Sequence, residues 1–190
     1  LVLSFLQDPA FLSEFKVCPA SRRLHHSRLG GLIEHTHSVV TLCELISSHF
    51  PKIDHDLLLA GAILHDIGKI HEYQHRLSIE RTTTGALLGH LVIGDGMVRE
   101  RLETIPDFPE HAALMLRHLL LSHHGHLEYG SPKRPKTREA MILHALENLD
   151  ADLDYFDLAT AEARREGKEM TDYDRIFGRQ LYAGPTEPDD

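Results

Sequence analysis

The chain has 190 residues, 42% of them hydrophobic, with a formal net charge of −9. That length suits one domain with a sizeable core, and the acidic balance argues against gripping nucleic acid by surface charge alone. Two cysteines make no disulfide framework and point to a reducing cytoplasm; no apolar run reaches the roughly 18 residues of a membrane span, and the first residues lack the basic region of a secretory signal.

In chain order, Pro9 to Phe15 reads as a short helix, followed by a loop from Cys18 to Gly31. Gly31 to Phe50 carries an apolar stripe at Leu32, Val39, Leu42 and Ile46 and stops before Pro51. Asp54 is the expected N-cap of a helix running to Gly68, whose glycine offers a stop. Further helices are expected over about 85–102 and 110–121, then a polar loop from Ser122 to Pro135. A long helix starts near Thr137 and runs into the 160s, and a last short one covers Asp172 to Tyr182. Strand signals are weak, with no period-2 alternation. The expected architecture is all-α, a helical bundle over residues 1–183, with 184–190 a disordered tail. The chain opens on Leu rather than Met and is expected to be a piece of a longer protein.

Histidine is the compositional anomaly: 16 of them, all between His25 and His144 and not in a contiguous tag. At the polar end of an apolar segment, Ala62-Ile-Leu-His-Asp-Ile-Gly-Lys69 sets His65 beside Asp66. A neutral imidazole next to a carboxylate suits a borderline-hard divalent ion. His35 continues the 3-4-3-4 stripe of its helix and faces the core, whereas His37 lies roughly 200° away. Asp150 shares a stripe with Leu143, Leu146 and Leu153, which aims a carboxylate inward. A buried carboxylate needs a counter-charge; one cation held by His35, His65, Asp66 and Asp150 would satisfy all four. His90 closes a Gly-Ala-Leu-Leu-Gly-His segment, and His123-His124-Gly125 sits at a helix-to-loop junction. These suit a second ion, with Asp66 shared. His49, His55, His71, His75, His111, His118 and His144 carry no pattern and are expected mostly at the surface. By residue alone His25-His26 reads as a polar loop, and the run Lys133-Arg134-Pro-Lys136-Thr-Arg138 as either a phosphate contact or a solvated loop.

The order His35, His65-Asp66, Asp150 resembles the H…HD…D pattern of HD-domain metal-dependent phosphohydrolases. Five further blocks, beginning at His25-His26-Ser-Arg-Leu-Gly-Gly and ending at Glu147-Asn-Leu-Asp-Ala151, are similar to YhaM-type 3′-5′ exoribonucleases over about residues 9–183. The resemblance implies an all-α HD domain that hydrolyses single-stranded RNA, and DNA as a further substrate, from the 3′ end. It also implies an OB-fold domain upstream, outside this chain.

On that reading, two divalent ions are bound, Mn²⁺ or Fe²⁺ before Zn²⁺, Ni²⁺ or Co²⁺. His35, His65, Asp66 and Asp150 hold one; His90 and His123 hold the other with Asp66 bridging. Lys69 pairs with phosphate, His26 and Lys133 join it as substrate contacts, and Asp66, Lys69 and His124 form the catalytic set. His124 donates a proton, contacts phosphate, or ligates in place of His123, since spacing cannot separate neighbours. The rival activity is a nucleotidase or cyclic-nucleotide phosphodiesterase on the same metals; a non-catalytic sensor would be expected to have lost ligands.

Overall fold

The computed structural model describes residues 1–22, 26–74 and 78–185; His25, His75 and the tail reading over 186–190 lie outside them. Among the described residues the expected all-α class holds, with eight α-helices and one two-stranded hairpin. The short helix α1 (Val2–Leu6) precedes α2 (Pro9–Val17), where Pro9 opens the helix and the Asp8 carboxylate accepts from the Ala10 and Phe11 amides. Next come α3 (Gly31–Ser47) and α4 (His55–Leu64), the latter capped as expected by Asp54, which accepts from the Leu57 amide.

The expectation that α4 continues to Gly68 is corrected. It ends at Leu64, and a tight turn over 65–68 leads into α5 (Lys69–Glu72), which Gly68 precedes. The cause is local. His65 Nδ1 donates to the Ala62 carbonyl, 2.8 Å, and the chain tightens into three-residue bonds such as Lys69 N to Asp66 O at 3.0 Å. This is the stretch that turns Asp66 inward.

Strands β1 (Tyr73–Gln74) and β2 (Glu80–Arg81) pair antiparallel. Thr82 then caps α6 (Thr83–Glu103), which kinks at Gly89. Helix α7 (Glu110–Ser122) leads through a 3₁₀ turn (Leu127–Tyr129) to α8 (Arg138–Arg165), capped by Thr137. The helix expected over Asp172 to Tyr182 does not form. The Asp174 carboxylate accepts from the Ile176 and Phe177 amides, which fixes a turn, and Gly178 sits at φ 65°. Single bridges Met170–Tyr182 and Asp174–Arg179 hold the segment instead.

Helix α4 is the axis of the core and packs against α3, α7 and α8. Its Leu64 joins Phe5, Phe15, Leu32 and Leu120 in one apolar cluster, while Leu58 and Ala62 join Val39, Cys43, Leu119 and Leu143 in the other. Each fully buried Leu, Val or Phe among them contributes about 1.5–3 kcal/mol. With both flanks committed, the end of α4 is fixed, and the His65-Asp66 pair is delivered to the centre of the bundle. Leu153 departs from its expected stripe: it is largely exposed, although Thr160 and Ala163 farther along α8 are buried. No helix among the described residues is long and apolar enough to cross a membrane.

Candidate metal centre

Five histidines converge on Asp66 from four places in the fold. His35 comes from α3, His65 from the turn after α4, His90 from α6, and His123 and His124 from the end of α7. All but His124 are buried, and Asp66 is 1% exposed. His35 Nε2 and His65 Nε2 stand 3.6 and 3.3 Å from Asp66 Oδ2. His90 Nε2 and His123 Nε2 stand 3.4 and 3.6 Å from the other oxygen, Oδ1. The carboxylate thus divides the imidazoles into two sets, one for each oxygen.

Each ring is held by its outer nitrogen. His65 Nδ1 meets the Ala62 carbonyl at 2.8 Å, His123 Nδ1 the Leu120 carbonyl at 2.8 Å, and His124 Nδ1 the Tyr129 carbonyl at 2.9 Å. His90 Nδ1 meets Glu72 at 2.6 Å, and His35 Nδ1 meets Asp150 at 2.6 Å. A carbonyl or carboxylate can only accept, so each Nδ1 carries a proton and Nε2 is the ring atom turned inward. This outward anchoring of imidazoles is what metal-ligating histidines need.

Two glycines shape the approach of His90. A side chain at Gly85 would strike the Glu72 backbone at 2.4 Å, so the glycine lets the chain pack closely there, and Glu72 is held against His90. Gly89 has open space around it but adopts φ 72°, ψ 156°, a conformation open only to glycine, and the kink turns His90 inward.

The electrostatics centre on Asp66. Burial disfavours its charge, yet Lys69 and His65 beside it hold the carboxyl well below the usual range. Lys69 Nζ lies 2.5 Å from Asp66 Oδ2 and is itself buried, and the pairing outweighs its own desolvation to raise its pKa. Burial pushes His35 and His123 down, and burial with neighbouring His90 brings His124 to about 4. Neutral imidazoles are the form that binds metal. Asp66 Oδ1 and His123 Nε2 are sealed from solvent and have no hydrogen-bond partner. Such orphaned atoms are costly, and a cation between them would complete both. Ligating atoms of His35, His65 and Asp66, and of His90, His123 and His124, each fall within 4.8 Å of one another, so both sets can hold an ion.

Asp150, with His26 and His35, forms a third group whose ligand atoms fall within 4.8 Å of one another. Asp150 accepts from His35 Nδ1 on the far side of that ring from Asp66, and also from His26 Nε2 at 3.1 Å and from Ser38. These bonds overcome burial and hold its carboxyl well below the ordinary range. His26 is correspondingly turned to Asp150, with its amide on Asp154. Lys133 is exposed on the loop after the 3₁₀ turn, where its carbonyl accepts from Ser131.

Three residues that spacing did not single out surround the cluster. Glu147, one turn before Asp150, is 7% exposed; burial and the Asp66 charge raise it to about 7. Its membership in the Leu143–Leu146 face was legible, but nothing in the phase separates it from Asp150. Glu72 holds His90, and His144 donates to the His123 carbonyl at 2.7 Å, so that histidine is not the bystander expected.

Residues 32–152 match the model of the HD domain family. The chain is 42% identical over 149 residues to the 3′-5′ exoribonuclease YhaM of Bacillus subtilis, covering 77% of this chain and 46% of that protein. It is also 42% identical over 151 residues to the 3′-5′ exoribonuclease YhaM of Bacillus velezensis, covering 78% and 47%. The chain therefore spans about half the length of these curated relatives. No solved structure matches it. With the family match extending from the start of α3 into α8 and enclosing every residue of the centre, the chain belongs to the HD domain family.

Proposed function

We propose that this chain is the catalytic domain of a metal-dependent 3′-5′ exoribonuclease acting on single-stranded RNA. The observation that carries the reading is Asp66: one oxygen faces His35 and His65, the other faces His90 and His123. A shared carboxylate between two imidazole sets is the donor arrangement of a two-ion phosphodiesterase. The relatives' names supply the polymer and its direction.

His35, His65 and Asp66 hold one ion, with Glu147 as the carboxylate that closes the set. Glu147 is buried, and burial with the Asp66 charge raises its carboxyl to about 7, a penalty that a cation would relieve. Asp150 positions His35 through Nδ1 rather than ligating. His90, His123 and His124 hold the second ion with Asp66 Oδ1; a His124 that is neutral at pH 7 is a better ligand than acid. Mixed imidazole and carboxylate donors suit Mn²⁺ or Fe²⁺, then Zn²⁺, Ni²⁺ or Co²⁺. When bound, such ions supply Lewis acidity and lower the pKa of water.

Hydrolysis adds a water oxygen to phosphorus, and the 3′-oxygen of the penultimate nucleotide leaves with a proton, releasing a nucleoside 5′-monophosphate. Asp66 fixes the spacing of the two donor sets. Lys69, buried and charged at the start of α5, turns from Asp66 to a non-bridging phosphate oxygen. His26 supports the Asp150–His35 pair, and exposed Lys133 meets the strand farther from the centre.

The test is digestion of 5′-labelled single-stranded RNA with Mn²⁺, beside mononucleotides. A ladder shrinking from the 3′ end is expected. Phosphate release from mononucleotides with the RNA intact would replace this reading with a nucleotidase.

A further inference from the structure

A cavity of about 260 Å³ opens beside the metal centre and shares two residues with it, His124 and Glu147. Its lining continues along α8 with Asn148, Asp152 and Tyr155 and includes Tyr129. Its size falls just below the roughly 300–1,000 Å³ of drug-sized ligand clefts, room for one nucleoside and not for a strand.

The lining offers acceptors for hydroxyls rather than a basic side chain for phosphate. Neither Lys nor Arg lines it, and its acidic residues are Glu147 and Asp152. Asp152 is half-buried, and Asn148 Nδ2 donates to its Oδ2 at 3.1 Å, which fixes the carboxylate and leaves acceptor capacity on Oδ1. The Tyr155 hydroxyl is engaged by Asp174 at 2.7 Å, so that ring serves the cavity as a wall. Tyr129 is anchored through its carbonyl by His124, its ring meets the His126 ring edge-on at 5.4 Å, and the residue is 67% exposed. An exposed tyrosine face beside a nucleoside-sized cavity is a stacking platform for a base.

Resting on the exonuclease reading above, we propose that this cavity binds the 3′-terminal ribonucleoside, with Asp152 accepting from its 2′,3′-diol and Tyr129 stacking on its base. The diol offers two neighbouring O–H donors, and a carboxylate is an acceptor-only group that can take both. A 2′-deoxy end offers one. Asp152 is thereby the residue that distinguishes an RNA terminus from a DNA terminus.

The experiment compares kcat/KM, with Mn²⁺, for two oligoribonucleotides identical except that one ends in a 2′-deoxynucleotide. The wild-type chain is expected to favour the ribose end by about tenfold or more, the scale of one hydrogen bond to a charged group. Asp152→Ala should bring that ratio close to one. The ratio is taken within one variant, so any loss of folded protein cancels. Tyr129→Ala should raise KM for both substrates by about tenfold while leaving the ratio intact. An Asp152→Ala ratio equal to that of the wild type, or a wild type that cuts both ends equally, overturns the proposal. Failure of the wild type to cut either oligomer is a different result, and removes the exonuclease reading beneath it.

Discussion

Asp66 Oδ1 and His123 Nε2 face each other across 3.6 Å, both buried and neither hydrogen-bonded. Each unsatisfied buried group of this kind costs about 1–3 kcal/mol. On the other oxygen of Asp66, Lys69 sits at 2.5 Å and neutralises the charge. The fold therefore sustains a half-compensated carboxylate at its centre, which stability alone would not select. Ion binding gives that arrangement a purpose.

Asp150→Ala separates a positioning residue from a ligand. Asp150 grips His35 by Nδ1, so its loss should lower Mn²⁺ affinity about 10–100-fold and be rescued at saturating metal. His35→Ala should not be rescued. Activity measured against Mn²⁺ concentration for both variants makes the comparison. An Asp150→Ala enzyme that stays inactive at saturating Mn²⁺ would return Asp150 to the ligand set.

Glu147→Gln should stabilise the metal-free chain at neutral and alkaline pH. The folded-state pKa of Glu147 is raised to about 7 from 4.5, so folding holds its proton and stability is lost as pH rises through that window. Below about pH 4.5 the carboxyl is protonated in both states and the variant should match the wild type there. Above pH 7 the removed penalty is on the order of 3 kcal/mol. Thermal unfolding with a chelator at pH 4.5 and pH 8 reads this directly. The same variant should need more metal for activity. Equal Tm values at pH 8 would contradict the burial of this charge.

Gly89→Ala and Gly96→Ala should move stability in opposite directions. Gly89 is held at φ 72°, ψ 156°, where an L side chain costs about 1–3 kcal/mol. Gly96 lies in regular helix with open space around it, where alanine gains up to about 1 kcal/mol. Each kilocalorie shifts Tm by roughly 2–4 °C in a domain this size. Gly89→Ala should also depress activity, because the kink aims His90, whereas Gly96→Ala should not.

What was legible in the sequence follows from period and chemistry. The 3.6-residue phase of α3 separates His35 from His37, and the structure buries the former and exposes the latter. Asp54 was recognisable as a cap because its carboxylate precedes an apolar run. Glu147 and Asp150 lie three residues apart on one face of α8, so phase cannot tell which is buried under the Asp66 charge and which backs His35. Helical reading also failed where local bonds overrule it, at the His65–Ala62 bond that ends α4 and at the Asp174 turn. Strands of two residues carry no period at all. The ring nitrogen that each histidine presents is a matter of distant carbonyls such as those of Leu120 and Tyr129, and no spacing reports it.

The central claim is that Asp66 joins two ion sites, and metal content tests it most directly. Elemental analysis after loading with Mn²⁺ and removal of free metal should find two ions per wild-type chain. A His90→Ala/His123→Ala variant, folded by circular dichroism, should retain one, and Asp66→Ala should retain neither. One ion in the wild type, or two in the double-histidine variant, would contradict the account.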